Sequence, residues 1–333
     1  MMERIKEIWN QLESGTSAVS GLFKQRYSDT SECNAFLGIK YPENYRMLIV
    51  RTTFVLGKDF NLKYEFRGLK FEKSYDPDDV NFLLLNLVLV DKQLRDIFDS
   101  LVADVLSSII SEVDTKIILK NYSNRLMKWQ SLFERFNQQG LSAEEQRGLF
   151  GELFFIRKFL HNNSEFISII NSWVGCEKQI RDFQHSAWSV EVKTTQGNNH
   201  QRVHISSERQ LDTRNLEHLF LYHLSLELRQ KSRETLNELI DQITEILKSD
   251  YTALSKFNAK LIEGGYFSHH GQLYDDTGYF IRQESFYKVE KKFPRIEEAD
   301  IRNGIGDVKY SIIVSQCSDY MVYEQEIFQK LIF

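Results

Sequence analysis

Three acidic residues and one lysine lie in a segment whose pattern predicts a helix and two strands. Glu152 belongs to the predicted helix, Asp182 and Glu191 belong to the predicted strands, and Lys193 follows Glu191 by two places. Carboxylate oxygens are preferred ligands of Mg²⁺, and because this ion keeps several of its waters, one or two carboxylates can hold it. A lysine beside the ion can orient or help to deprotonate a water molecule and offset negative charge. The segment therefore predicts a magnesium-binding reaction centre.

The element that would position Glu152 is a helix beginning at Ser142. Ser142 and Glu145 have the spacing of a capping box, which satisfies free backbone N–H groups in the first turn of a helix. Gly148 and Gly151 each cost about 1 kcal/mol relative to alanine inside a helix. We therefore expect this face of the helix to lie close against a sheet, with the Glu152 carboxylate near the apolar stripe, where it needs a partner.

Two predicted strands, residues 180–183 and 188–195, are joined by four residues, a length suited to a hairpin. Side chains alternate between the two faces of a strand, so Glu191 and Lys193 point to one face, and apolar residues form the other. The hairpin would bring Asp182 close to Glu191. These strands therefore assemble the acidic residues and the lysine at one place.

A third predicted strand, residues 202–205, passes into a helix that reaches Leu211. Gln210 would lie in the first turn of that helix and align a water molecule or a phosphate group. Ser206 and Ser207 would present free backbone N–H groups to an anion at the start of the helix.

The predicted metal ligands are three carboxylates and one backbone carbonyl oxygen: Asp182, Glu191, Glu152 and Val192. Glu152 would act through a water molecule or hold a second ion. With Lys193 and Gln210, this set could provide what phosphodiester hydrolysis needs: a cation at the phosphate, a nucleophilic water and a stabilised leaving oxygen.

Simpler interpretations of the same residues stay open. A Glu-x-Lys pair on a strand occurs by chance in many proteins, and an exposed ion pair is worth roughly 0–1 kcal/mol. In one such interpretation, Glu152 is a partner of Lys193 that stabilises the core. In another, Gln210 is the last residue of a capping box with Ser207. Trp173 is interpreted as a core residue, and the histidines show no metal-ligand spacing.

The chain is long enough for two domains, and we place the boundary at residues 137–140, where the helical pattern breaks. Residues 1–140 are predicted to form a mixed α/β domain for DNA recognition or partner binding. Residues 141–333 are predicted to form the domain that carries the acidic set, with a β-rich C-terminal extension. The N-terminal elements predicted from the pattern are strands at 46–51, 60–66 and 69–73, a buried strand or the start of a helix at 81–90, and helices at 94–118 and 121–136.

Composition narrows the class of protein. The formal net charge is −5, whereas a protein that coats nucleic acid is usually basic. The three cysteines are far apart and odd in number, which argues for a reducing compartment. The sequence shows no signal peptide and no apolar run long enough to span a bilayer. We therefore expect a cytoplasmic protein without a membrane partner.

Five short motifs resemble those of the PD-(D/E)XK nuclease superfamily and, more closely, of a bacterial family of PD-(D/E)XK proteins. They are Gly148–Leu153, Trp173–Gly175, Asp182–Phe183, Glu191–Thr195 and Ile205–Leu211. The resemblance implies an α/β fold with a restriction-endonuclease-like α-β-β-β-α-β core. The residues that match the superfamily pattern are the D…(D/E)XK residues, the acid of the helix and the glutamine of the resolvase-like branch: Asp182, Glu191, Lys193, Glu152 and Gln210. Arg181 departs from the pattern, because it stands where the motif name has proline.

The resemblance further implies a Mg²⁺-dependent DNA endonuclease, with Mn²⁺ as a substitute, that acts with partner proteins in a restriction or phage-defence system. The main alternative is a non-catalytic DNA- or protein-binding assembly subunit that retains the nuclease fold, and the net negative charge favours it. A nuclease acting on RNA or branched DNA is a third hypothesis. Double-strand cleavage would suggest a homodimer, because one such site cuts one strand.

Overall fold

The computed structural model describes residues 2–14, 20–28, 33–61, 68–136, 140–197, 202–230, 232–290 and 292–333. The chain divides into two compact units, residues 1–138 and 139–333. Within the described residues, no helix is both long enough and apolar enough to cross a membrane.

The N-terminal unit contains a five-stranded antiparallel sheet in the order β1-β2-β3-β5-β4, together with helices. Its elements in chain order are α1 (Met2–Glu13), β1 (Gly21–Arg26), β2 (Ala35–Tyr41), β3 (Tyr45–Thr53), α2 (Phe54–Asp59), β4 (Leu69–Tyr75), β5 (Phe82–Leu89), α3 (Arg95–Ile109) and α4 (Thr115–Phe136). Strand β5 pairs with β3 and β4, so the ambiguous pattern at residues 81–90 belongs to a strand, and most of its side chains are buried.

The long helix predicted at residues 94–118 is wrong, because α3 ends at Ile109 and α4 begins at Thr115. The Asp114 side chain accepts a hydrogen bond of 2.7 Å from the Lys116 N–H, so it satisfies one of the free donors at the start of α4. The predicted strand at 60–66 falls largely on residues outside the described ones, and Phe60 and Asn61 are not in a strand.

The C-terminal unit is built around a mixed sheet in the order β10-β11-β9-β7-β6, with β13 also paired to β11, and a separate β8-β12 pair. Its elements in chain order are α5 (Ala143–Asn162), α6 (Phe166–Ser172), β6 (Phe183–Gln184), β7 (Trp188–Gln196), β8 (Arg202–Ile205), β9 (His218–Gln230), β10 (Glu234–Thr235), α7 (Leu236–Leu247), α8 (Tyr251–Glu263), β11 (Thr277–Lys288), β12 (Tyr310–Ile313), β13 (Met321–Val322) and α9 (Glu324–Lys330). The expected α/β class is confirmed.

Helix α5 begins as predicted, since Ser142 and Glu145 form both hydrogen bonds of a capping box. The close approach to the sheet is confirmed at Gly151 only. A Cβ atom there would lie 2.4 Å from Thr194 Cγ2, whereas one at Gly148 would meet nothing within 4 Å. The glycine at 151 therefore lets α5 pack tightly against β7.

Two hydrophobic clusters cover the two faces of the central sheet. On one face, residues of α5 pack with Val190 and Val192 of β7 and Tyr222 of β9. On the other face, Leu219 and Leu221 of β9 belong to a second cluster. Glu191 and Lys193 alternate with the valines and therefore lie on the second face, at one end of that cluster.

Two predicted elements near the site are shorter than expected. The first strand of the hairpin comprises only Phe183–Gln184, so Asp182 lies just before it rather than within it. The helix expected after β8 is a 3₁₀ turn, Glu208–Leu211. Both segments lie at predicted site residues, since Asp182 directly precedes the first and Gln210 belongs to the second.

Candidate active site

Glu191 and Lys193 lie on one face of β7, as the alternation predicted. The Glu191 side chain is 0% exposed and that of Lys193 is 19% exposed, and Lys193 Nζ lies 2.7 Å from Glu191 Oε1. Within the described chain, neither carboxylate oxygen of Glu191 has a donor in hydrogen-bonding geometry. A buried carboxylate normally needs such donors. Glu191 therefore relies on nearby positive charge rather than on a hydrogen-bond network.

Asp182 is held in the loop before β6 through both its side chain and its backbone. Its Oδ2 accepts a hydrogen bond of 2.7 Å from the Val192 N–H. Its backbone carbonyl oxygen accepts bonds of 2.8 and 2.9 Å from the N–H groups of Val174 and Gly175. These bonds hold Asp182 beside β7 without a long strand.

Glu152 reaches the same place from α5. Its Oε2 accepts a hydrogen bond of 2.6 Å from the indole Nε1 of Trp173. A Cβ atom on Gly175 would lie 2.8 Å from Asp182 Oδ1 and 2.9 Å from Glu152 Oε2. The missing side chain of Gly175 thus leaves a space that is bordered by two of the predicted carboxylates.

The acids and the lysine perturb one another. Burial, followed by the charge of Asp182, raises the pKa of Glu191 to about 8, although Lys193 and Arg181 act in the opposite direction. Burial and the charge of Asp182 also raise the pKa of Glu152 well above its usual range. The pKa of Asp182 is raised mainly by burial, against Lys193. The three carboxyl groups of Glu152, Asp182 and Glu191 thus outnumber the two cationic side chains that act on them, Lys193 and Arg181.

The ammonium group of Lys193 responds to the same charges. Burial lowers its pKa, but the negative charges of Glu191 and Asp182 outweigh burial and keep the pKa above its ordinary value. The lysine is therefore a cation at neutral pH, which suits charge stabilisation and the orientation of a water molecule.

Arg181, which replaces the motif proline, connects the Asp182 loop to the 3₁₀ turn. Its Nε donates to the Gln210 carbonyl oxygen at 2.9 Å, and its Nη2 donates to the carbonyl oxygens of Arg209 at 3.0 Å and Asp212 at 2.6 Å. A planar guanidinium can serve several acceptors at once. The arginine therefore fixes the backbone next to Asp182 by a means that proline does not have.

The structure gives the Gln210 side chain a backbone-capping role, although not in the expected box with Ser207, whose hydroxyl accepts from the Arg209 N–H instead. Its Oε1 accepts a hydrogen bond of 2.9 Å from the Ser206 N–H. The N–H of Ser206 is consequently occupied, so the expectation that it is free to bind an anion is wrong. The predicted role of Gln210 toward water or phosphate stays a prediction, as does metal binding by the Val192 carbonyl.

Several residues at the site were missed by the sequence analysis. Trp173 was assigned to the core, and it is fully buried, but its N–H also binds Glu152. Tyr310 of β12 lies close enough for the Glu191 charge to add to the effect of burial in raising the pKa of the hydroxyl group. The motif Trp173–Gly175 indicates part of this arrangement, because a glycine two residues after a tryptophan is typical of close packing.

A divalent cation suits the chemistry of this donor set, because Glu191 has two buried oxygens without donors and the carboxylates outnumber their cations. The oxygens of Glu152, Asp182 and Glu191 nevertheless do not all lie within 4.8 Å of one another. In the described chain, the set that meets this distance is Cys176, Glu177 and Glu263. There the Lys260 ammonium lies 3.1 Å from Glu177 Oε1 and offsets its charge.

Comparison with known proteins supports the assignment by motif. Searches of curated proteins and of solved structures return no significant match. The profile of the family described as "Putative PD-(D/E)XK family member, (DUF4420)" matches residues 5–315, so the predicted resemblance is confirmed and the chain belongs to this family.

Proposed function

We propose that this protein is a Mg²⁺-dependent DNA endonuclease, with Mn²⁺ as a substitute metal, that hydrolyses phosphodiester bonds in a restriction or phage-defence system. The observation that carries the proposal is the fully buried Glu191 carboxylate, which accepts no well-aligned hydrogen bond and has the Lys193 ammonium 2.7 Å away. Membership in a PD-(D/E)XK family supports a nuclease-type activity.

The metal would be held by Glu191, by Asp182 through its Oδ1 and by Glu152, together with the Val192 carbonyl. When bound, it would supply charge neutralisation at the phosphate and a more acidic water molecule. The Val192 N–H already orients Asp182, and Trp173 orients Glu152. These two bonds fix the orientation of two of the carboxylates, and the three acids would still have to approach one another to bind one ion.

Lys193 would serve the phosphate and the attacking water. Its side chain is 19% exposed, and the ammonium group is held beside Glu191 by their opposite charges. The raised pKa keeps it cationic, and we assign to it the orientation of the water and the stabilisation of charge on the phosphate.

The test combines metal binding with DNA cleavage. Titration calorimetry with Mn²⁺ should give a binding signal that is lost in Asp182→Asn/Glu191→Gln. It should be retained in Glu263→Gln, at the other set of potential ligands. Cleavage of supercoiled plasmid should depend on Mg²⁺ or Mn²⁺ and be lost in Lys193→Met. If wild-type protein binds no Mn²⁺ and cuts neither plasmid nor linear DNA, the proposal is wrong.

A second candidate is an assembly subunit that retains the fold without catalysis. It is favoured by contacts that hold the site together without a metal, namely Lys193 beside Glu191 and Trp173 bonded to Glu152. We would then expect a complex with partner proteins that survives Lys193→Met and requires residues 1–140. A pull-down with Lys193→Met and with a protein that lacks residues 1–140 distinguishes this function from the nuclease.

We further propose that the protein acts in the cytoplasm. Cys33, Cys176 and Cys317 are buried and form no disulfide in the described chain, which agrees with action in the reducing cytoplasm. We also propose that a homodimer makes double-strand cuts, since one site cleaves one strand. Sedimentation of the protein with and without duplex DNA would test this stoichiometry.

A further inference from the structure

We propose that His223 is a further residue of the reaction centre and that its Nδ1 binds an oxygen atom of the reacting phosphate or of the attacking water. This inference rests on the proposed nuclease function and extends it by one residue. His223 was not part of the set predicted from the sequence.

The position of His223 in the sheet puts it beside Lys193. Strands β7 and β9 are parallel, and His223 is the register partner of Lys193, as Leu221 is of Glu191. Register partners on neighbouring parallel strands share a face and lie roughly 5 Å apart. The intervening residue Tyr222 packs in the cluster on the α5 side, so His223 lies on the same face as Glu191 and Lys193.

One nitrogen of the ring is already occupied. His223 Nε2 lies 2.8 Å from Thr195 Oγ1, two residues beyond Lys193 on the same strand. In a neutral imidazole one nitrogen donates and the other accepts. If the Thr195 hydroxyl donates to Nε2, Nδ1 carries the hydrogen and can donate to a phosphate oxygen or to a water. If Nε2 donates to Thr195, Nδ1 is an acceptor and can bind only a water molecule.

The other nitrogen has no partner although the residue is completely buried. The His223 side chain is 0% exposed, and within the described residues its Nδ1 forms no hydrogen bond. On the neighbouring strand β11, Ser285 is the register partner of His223. The Ser285 Oγ accepts a hydrogen bond of 3.2 Å from the Gln283 side-chain amide. Buried polar atoms normally have partners, so an unpaired one beside a candidate active site indicates a group that arrives with the substrate.

The unpaired atoms are also close together in the fold. The Nδ1 of His223 and both oxygens of Glu191 accept or donate no well-aligned hydrogen bond in the described chain, although Lys193 Nζ lies 2.7 Å from Glu191 Oε1, and the two residues lie on adjacent strands on the same face. An acceptor pair and an imidazole around a lysine ammonium can together surround a hydrated phosphate. This arrangement assigns His223 a direct contact rather than a purely structural one.

The test uses two substitutions, His223→Asn and His223→Gln, whose amide side chains each imitate one nitrogen of the imidazole. His223→Asn places a polar atom near the position of Nδ1 but does not reach Thr195. His223→Gln reaches toward Thr195 but leaves the Nδ1 position empty. If Nδ1 binds the reacting group, cleavage of supercoiled plasmid with Mn²⁺ should be retained within a few-fold in His223→Asn and should fall about 100-fold in His223→Gln. Thr195→Val is the matched control and should resemble His223→Asn.

A second measurement distinguishes the two sources of the oxygen. Binding of the same plasmid is measured with Ca²⁺ in place of Mn²⁺. If His223→Gln binds the plasmid more weakly, the contact is to phosphate. If only the single-turnover rate falls, the contact is to the attacking water. Both outcomes support the inference.

Contradicting outcomes separate the inference from the function on which it rests. If wild-type protein cuts DNA but His223→Gln cuts as fast as His223→Asn, the inference is wrong and the proposed function stands. The same holds if the loss of activity in both variants follows their loss of thermal stability. If wild-type protein neither binds nor cuts any plasmid form, the proposed function fails and the inference fails with it.

Discussion

Asp76, just after β4 in the N-terminal unit, and Glu191, on β7 in the C-terminal unit, are buried acids in very different surroundings. Asp76 is 2% exposed, and its carboxylate accepts hydrogen bonds from Arg51, from Lys24 at 3.4 Å and from the Asp78 N–H at 3.2 Å. Glu191 is 0% exposed and has an adjacent lysine but no hydrogen-bond donor among the described residues.

The two carboxyl groups consequently differ in the direction of their pKa shifts. Burial raises the pKa of Asp76, but Arg51, the Asp78 N–H and Lys24 outweigh it, so the net pKa is below the ordinary value. Burial and the charge of Asp182 raise the pKa of Glu191 to about 8. The comparison teaches that burial alone does not define a structural acid. Donors inside the chain stabilise the charged form of Asp76, whereas at Glu191 burial and the neighbouring acid outweigh Lys193 and Arg181.

The largest effect on stability is expected at Asp76. Asp76→Ala removes the acceptor from two cations and should lower the free energy of unfolding by about 3 kcal/mol, because breaking a buried ion pair leaves uncompensated charge. Asp78→Ala removes a carboxylate that lies 3.5 Å from Lys24 and is 78% exposed, and it should change stability by less than about 0.5 kcal/mol. Urea unfolding measures both. Equal losses would mean that Asp76 is not the structural acid described above.

Substitution of Glu191 should have the opposite sign in metal-free protein. Because its folded pKa is about 8, the folded state binds more protons than the unfolded state between the ordinary carboxyl pKa and pH 8. The stability of wild-type protein should therefore fall as pH rises through this window. Glu191→Gln should abolish the fall in stability that is due to Glu191 and should be more stable than wild type at pH 8 by a few kcal/mol, since one pKa unit is worth about 1.4 kcal/mol.

The measurement is unfolding at pH 5, 7 and 8.5, with and without Mn²⁺. Addition of Mn²⁺ should stabilise wild type most at high pH, where Glu191 ionises readily, and should have little effect on Glu191→Gln. A Glu191→Gln protein that is less stable than wild type at every pH would place Glu191 with Asp76 among the structural acids.

Smaller effects are expected from substitutions at two glycines, Gly175 and Gly148. Their comparison tests whether the space beside Gly175 belongs to the metal site. Gly175→Ala would place a Cβ within 3 Å of Glu152 Oε2 and Asp182 Oδ1, so we expect a loss of about 1–2 kcal/mol and of the stabilisation by Mn²⁺. Gly148→Ala, where nothing lies within 4 Å, should raise stability by up to about 1 kcal/mol and leave the Mn²⁺ effect unchanged. An unchanged Mn²⁺ response in Gly175→Ala would remove the space beside Gly175 from the metal site.

The sequence predicted those parts of the site that depend on local periodicity. Alternation along β7 placed Glu191 and Lys193 on one face, and the capping box placed the start of α5. The hairpin placed Asp182 near β7, although its first strand is shorter than predicted. These features follow from two- and four-residue patterns, which the sequence displays directly.

The remainder depends on contacts between distant segments, which local patterns do not encode. Arg181 binds carbonyl oxygens 28 to 31 residues away, and Trp173 binds Glu152 across 21 residues. The role of Gln210 as a cap also follows from how the chain turns after β8. His223 did leave a signal, because a histidine inside the apolar strand Leu219–Leu226 must find a polar partner.

The hydrogen bond from the Val192 N–H to Asp182 Oδ2 has a consequence for the solubility of inactive variants. Strand β6 pairs with β7 only at Phe183 and Gln184, so farther along this edge Asp182 takes the place of a neighbouring strand. Removing its carboxylate would expose an unpaired amide on a buried, β-branched strand, the kind of edge that recruits another chain. An Asp182→Ala protein should therefore self-associate, while Asp182→Asn, which keeps an acceptor oxygen, should stay dispersed. Aggregation resistance and catalysis would thus be under selection through the same carboxylate.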